Sequence, residues 1–223
     1  LLNHQDNLDS LFTLAHEMGH AMHSHYSSNH QPFITARYTI FVAEVASTVN
    51  EVLLIHHLLK EATDKDVRKY LLNHFIDQFR GTFFTQVMFA EFEKLTHEKA
   101  ANSEPLNVEV FNDIYEKLFV DYFGDAITLN EEVKYNWSRI PHFYRPFYVY
   151  KYATGFAAAI AIGKAILDGN TEVQQAYLQF LKSGSSDYPI ELLKKTGVDL
   201  STTEPIESAL QYFTELVEEF AAL

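Results

Sequence analysis

His16 and His20 stand four residues apart with Glu17 between them, in the run His16-Glu17-Met18-Gly19-His20. Residues at that spacing lie about one helical turn apart on one face, so two imidazole nitrogens can be aimed at a single ion. Glu17 follows His16 by about 100° round the helix, where its carboxylate reaches a water beside the metal rather than the metal itself. A general base next to a Lewis acid serves hydrolysis. A lone histidine on a helix is more often structural or solvated, and the spacing of the three residues carries the reading.

A catalytic zinc takes three protein ligands and keeps one position open, so a third ligand has to come from elsewhere in the chain. A third His ten positions after His16 would give the metzincin arrangement, but Tyr26 stands there and His23 takes the place of its glycine. A Glu about 24 residues after His16 would resemble the thermolysin pattern, but Ile40 stands there. Glu44 is the first carboxylate after His16 other than Glu17. It lies among apolar neighbours, and a buried acid needs a partner, which a zinc ion would be. Asp9, Ser47 and Glu51 fall at helical spacing from these residues and are candidates to orient a ligand. His23 and His25 read as solvated or ligand-orienting, and His56, His57, Glu215, Glu218 and Glu219 as solvated helix faces.

These residues need helices to hold them, and the apolar periodicity supplies helices. Asn7, Asp9 and Ser10 offer cap oxygens to a helix from about residue 9 to about residue 26, patterned by Leu11, Leu14, Ala15, Met18 and Met22. The Ser27-Ser28-Asn29 cluster and Pro32 mark a loop. A second helix, from about residue 39 to about residue 61, turns Val42, Val45, Ala46, Val49, Leu53 and Leu54 inward. A third, capped by Asp64, runs from about residue 65 to about residue 99, roughly 50 Å, weakened only at Gly81. Helical patterns also cover about residues 108–123, 131–138, 147–167, 172–182, 190–195 and 205–221. Period-two alternation is confined to residues 34–38, so the fold class is all-α with few or no strands.

Composition narrows the partners. The 223 residues, 47% hydrophobic and 21% charged, suit a single domain with its own core. A formal charge of −13 argues against nucleic acid or an anionic membrane as partner and favours a cation. With no cysteine, a zinc ion has to be held by His and carboxylate, which fits a reducing, cytoplasmic setting. The most apolar stretch, residues 148–167, is broken by Lys151 and Lys164, so no membrane span is expected. The chain starts without Met or a basic signal segment and enters a helix almost at once, as a fragment would.

Between Pro141 and Gly155 stand His142, Tyr144, Tyr148, Tyr150 and Tyr152, a dense set of donors for a substrate carbonyl whose rings could equally fill a core. Together, HEMGHAMHS (residues 16–24), FVAEVAS (41–47) and IPHFYRPFYVYKYATGF (140–156) resemble the oligoendopeptidase F branch of the thimet-oligopeptidase-like zinc metallopeptidases, over nearly the whole chain. The resemblance implies a zincin-like helical catalytic lobe of a two-lobed channel peptidase that cleaves short peptides and excludes long or folded ones. It implies one Zn2+ on His16, His20 and Glu44, with Glu17 catalytic. It also implies that His142 and a tyrosine, Tyr150 first and Tyr148 next, steady the tetrahedral intermediate. Complete members are more than twice as long, so the chain is expected to be the carboxy-terminal catalytic part, its missing partner being the amino-terminal lobe of the same protein. The rival expectation is a non-catalytic zinc-binding helical module, or an inactive fragment of such a peptidase. Glu17 argues against that rival, because a structural site closes zinc with a fourth ligand and has no use for a base beside an open position.

Overall fold

The structure, a computed structural model, describes residues 2–223, which are mostly helical and contain no strand. Leu1 lies outside the described residues. Helix α1 (Leu8–His30) starts at Asn7, whose side-chain oxygen accepts from the Ser10 N–H at 2.9 Å. It runs through the Ser27-Ser28-Asn29 cluster expected to be a loop. Ser27 is buried and donates its hydroxyl to the Ala36 carbonyl at 2.6 Å, so it does not compete for the helix backbone. Helix α2 (Ile40–Glu61) buries Val42, Val45, Ala46 and Val49 as expected, with Val52 and Ile55 inside and Leu53 and Leu54 half-buried. Residues 34–38 form turns and bends rather than a strand.

The single helix expected over about residues 65–99 is divided. Helix α3 (Lys65–Gln78), capped by Asp64, passes into a π-helical segment, Phe79–Phe84, before α4 (Thr85–Ala101) resumes the α-helical pattern. Apolar spacing does not reveal one extra residue in a turn, and Gly81 sits inside the widened turn. Helix α5 (Val108–Phe123) is capped by the Asn107 side chain on the Val110 N–H. The helix expected over residues 131–138 is a 3₁₀ turn, Val133–Arg139, followed by another at Pro141–Tyr144. Helix α6 (Tyr150–Leu167) begins three residues later than expected, because Phe147 has φ of +55°, outside the helical region. Helices α7 (Thr171–Leu181), α8 (Pro189–Lys194) and α9 (Glu204–Ala222) follow closely where the periodicity puts them.

The described residues form two compact units. One comprises the chain through Phe79 together with Thr154–Leu223, the other Arg80–Ala153. In the first, Val45, Ala46 and Val49 of α2 pack with Ala158, Ala159 and Ile162 of α6, Phe180 of α7 and Leu193 of α8. Each such aliphatic or aromatic side chain contributes about 1.5–3 kcal/mol by leaving water. Alpha-2 is long and apolar enough, by length and composition, to cross a bilayer, and more than half of its apolar window is buried in the fold. In the second unit the core is mostly aromatic, with Phe89, Phe92 and Tyr115 packed around Leu118, Ile140 and Val149.

Helix α1 is rotated from what its apolar pattern implies. Leu11, Leu14, Met18 and Met22 face outward, Met18 being 49% exposed, while Phe12, Gly19, His23 and Ser27 face in. His23, expected to be solvated or to orient a ligand, is 1% exposed and stacks on Tyr38 with ring centroids 3.6 Å apart. Burial and the charge of His20 push its pKa down to about 4. The folded pKa lies below the unfolded value of about 6.5, so the unfolded chain binds the extra proton between these limits. Stability from a neutral His23 is therefore complete above about pH 6.5 and is lost as pH falls toward 4, a change on the order of 3 kcal/mol. Urea denaturation at about pH 7 and about pH 5 should show a smaller pH loss for His23→Phe than for the parent chain, and equal losses would refute this account.

Candidate metal centre

The site is built where α1 crosses α2, and Gly19 sets the crossing. A Cβ at Gly19 would lie 2.5 Å from the Ser47 Cα and 2.7 Å from the Ala46 carbonyl oxygen, so only hydrogen fits between the two backbones. The Asn50 side-chain amide donates to the Ala15 carbonyl at 3.2 Å and ties the same helices one turn further along. On the other side of Glu44, Gly155 lets α6 come within 3.3 Å of the Glu44 Cβ, measured from the position a Cβ would take.

This close approach brings together three donor atoms. His16 Nε2 is 3.1 Å from His20 Nε2 and 3.4 Å from Glu44 Oε2, and His20 Nε2 is 3.8 Å from Glu44 Oε2. Ligands of a tetrahedral ion with bonds of about 2.1 Å lie about 3.4 Å apart, so the triangle has the size a zinc ion requires. Two imidazoles and one carboxylate are also a donor set that zinc accepts, with the fourth position free for water.

Behind the triangle a second carboxylate orients His16. Glu51 Oε1 is 2.5 Å from His16 Nδ1, and its other oxygen accepts from the Gln78 amide at 2.5 Å. A carboxylate accepting Nδ1–H fixes the tautomer and leaves Nε2 with a lone pair directed at the ion. Burial opposes a proton on His16, but Glu44 and Glu51 outweigh it and raise the His16 pKa to about 10 in the metal-free chain. Burial likewise opposes charge on Glu44, while His16 and His20 together hold its pKa below the usual value. Such mutual charge pairing is what a cation placed among the three atoms would replace. Glu51→Gln keeps size but weakens the hold on Nδ1, and zinc affinity is expected to fall about 10–100-fold in competition with a chelator. Unchanged affinity would reduce Glu51 to a packing role.

Glu17 is exposed on α1, and its side chain makes no hydrogen bond among the described residues. In the second unit, His142 Nε2 lies 3.3 Å from the Tyr152 hydroxyl, and the Tyr148 ring stacks on the imidazole with centroids 5.5 Å apart. Tyr150, at the first turn of α6, is 36% exposed, with the Lys151 ammonium 5.2 Å from its ring centroid. Tyr144 points to solvent.

The family model described as peptidase family M3 matches residues 1–212. The chain belongs to that family. Oligopeptidase PepF of Bacillus subtilis (strain 168) is 50% identical over 223 residues, the whole of this chain and 33% of that protein. The crystal structure of oligoendopeptidase-F from Enterococcus faecium superposes with a TM-score of 0.85 at 46% identity, covering 96% of this chain and 39% of the other. That of a peptidase from Chlamydophila abortus gives 0.89 at 43% identity, covering 100% and 37%. The chain thus spans about a third of the length of the relatives it matches.

For this M3 chain, sequence reasoning offers Asp9, Ser47 and Glu51 as possible orienting residues without choosing. The structure puts Glu51 on His16 and the Ser47 hydroxyl on the Glu44 carbonyl oxygen, and leaves Asp9 facing solvent. Gln78 and the spacing role of Gly19 were not anticipated. The signal for Gly19 is its position inside the His-Glu-x-x-His turn, where a glycine weakens a helix unless something packs against it. His56 is also not a solvated surface residue, since the Tyr212 hydroxyl and His56 Nε2 are 2.8 Å apart. Glu219 pairs with Arg68. His25 stays on the surface, hydrogen-bonded by Asn29.

Proposed function

We propose that this chain is the catalytic part of a zinc-dependent endopeptidase acting on short oligopeptides. The observation that carries the reading is the triangle of His16, His20 and Glu44 donor atoms at tetrahedral spacing, with Glu17 free and exposed on the same turn of α1. Membership of the M3 family and relatives named as oligopeptidases and oligoendopeptidases support peptide bonds as the target. The remaining two thirds of such proteins would supply the amino-terminal lobe that faces this one. A cytoplasmic location agrees with the absence of cysteine.

His16, His20 and Glu44 would hold the zinc ion, which when bound would supply Lewis acidity to the reaction. Glu17 accepts the proton that the attacking water gives up and later returns it to the leaving amine. Glu51 keeps the His16 ring from turning while charge moves through the site. His142 and a tyrosine hydroxyl, Tyr150 first and Tyr148 next, donate to the carbonyl oxygen as it becomes negative.

The test is metal content together with turnover of a short internally quenched peptide, for this chain and for the longest natural polypeptide that contains it. One zinc per chain, with cleavage lost on chelation and restored by zinc, is the expected result. Cleavage that survives chelation, or a metal-free chain in zinc-containing buffer, overturns the proposal. Within the active protein, Tyr150→Phe should lower kcat and kcat/KM together by about 10²–10³, because the lost donor serves the charged oxygen rather than the bound peptide. Tyr148→Phe and Tyr152→Phe run alongside should fall less, and the largest fall at Tyr152 would move the role to the hydroxyl beside His142.

A further inference from the structure

The second unit contains a cavity of about 320 Å³ that the hydrolytic reading does not use. Its wall is aromatic, with Phe92, Phe111, Trp137 and Phe143 as the main rings. Trp137 is anchored by its indole N–H on Asn112 Oδ1 at 2.8 Å, and its ring lies 4.9 Å from that of Phe111, while Phe92 and Phe143 are 5.1 Å apart. Pockets that bind small organic groups have this size and character, mostly apolar with a few fixed polar atoms.

The fixed polar atom is a carboxylate. Glu93 lines the cavity and is only 2% exposed. Its Oε1 accepts the Phe147 N–H at 2.9 Å, which holds Phe147 in its left-handed conformation, but its Oε2 is buried without a hydrogen-bond partner. An acid oxygen buried and unpaired is costly, and it calls for a partner that the described residues do not supply. Burial raises the Glu93 pKa, and the Phe147 N–H with His97, Lys151 and His142 pulls the other way. An anion placed here would meet the carboxylate, whereas a cation would meet both the carboxylate and the faces of aromatic rings.

We propose that this cavity is a binding site for a protonated amine carried on an apolar or aromatic stem, with the Glu93 carboxylate as the acceptor and the Phe92, Phe111, Trp137 and Phe143 rings around the stem. The site stands on the second unit alone and does not depend on the metal centre.

The chain has one tryptophan, Trp137, so ligand entry can be read from its fluorescence. Phenethylamine should give a saturable change in Trp137 emission, and 2-phenylethanol, alike in shape but uncharged, should bind at least about tenfold more weakly. Glu93→Gln, which keeps an acceptor for the Phe147 N–H, should bring the amine down to the level of the alcohol. Because that variant touches a buried group, Ala100→Phe provides a second route. Ala100 lines the cavity yet is exposed, so a larger side chain there should fill the space and abolish the amine signal without unfolding the unit. Equal affinity of amine and alcohol for the parent chain would leave only an apolar pocket and overturn the proposal. So would full amine binding by Glu93→Gln or by Ala100→Phe, or no response to either probe.

Discussion

Glu17→Gln is expected to leave zinc in place and reduce kcat for peptide hydrolysis by about 10²–10⁴. The amide has the size of the acid and stays on the exposed side of α1, but it does not accept a proton from the attacking water. His16, His20 and Glu44 form the triangle without it, so its removal should not change the zinc stoichiometry. Substrate binding should also be little affected, giving a fall in kcat with KM nearly constant. Two measurements on one preparation decide the matter, zinc per chain and steady-state kinetics. Loss of zinc would make Glu17 a ligand, and retained turnover would assign the proton transfer to another group.

Gly19→Ala is expected to be nearly as damaging, by a different route. The new methyl would sit 2.5 Å from the Ser47 Cα, which is backbone and has no rotamer by which to yield, so α1 and α2 must separate. Overpacking of this kind costs about 1–3 kcal/mol in stability. The larger effect falls on the metal. The donor separations of 3.1, 3.4 and 3.8 Å leave little room for a shift between the helices, since zinc bonds hold within about 0.2 Å of their normal length. Zinc affinity should fall by more than in Glu51→Gln, where the triangle is intact and only its support is weakened. Chelator competition and thermal unfolding on the two variants would show it. If Gly19→Ala binds zinc like the parent chain, the crossing is not what sets the site.

Several features were fixed locally and were therefore legible in the sequence. His16 and His20 share a face because the helical period is a property of the backbone, and α1 starts at the cap that Asn7 offers. The cap at Asp64 and the bounds of α5 follow from the same short-range rules. Glu44 could be singled out because a carboxylate amid Val42, Ala43, Val45 and Ala46 has few reasons to be there unless it is paired. The all-α class follows from periodicity alone.

Tertiary structure decided whatever depends on two segments meeting. The apolar stripe of α1 correctly gave a helix but not its rotation, because the tight fit of Gly19 on Ser47 and of His23 on Tyr38 outranks four apolar side chains left outside. The choice of Glu51 over Asp9 as the partner of His16 required the crossing of α1 and α2, which no spacing within one helix encodes. The π-helical turn at Phe79–Phe84 and the unpaired oxygen of Glu93 are likewise set by packing against distant residues. Periodicity reports which side chains share a face, while the free energy of burial between elements determines which face turns inward and what it meets there.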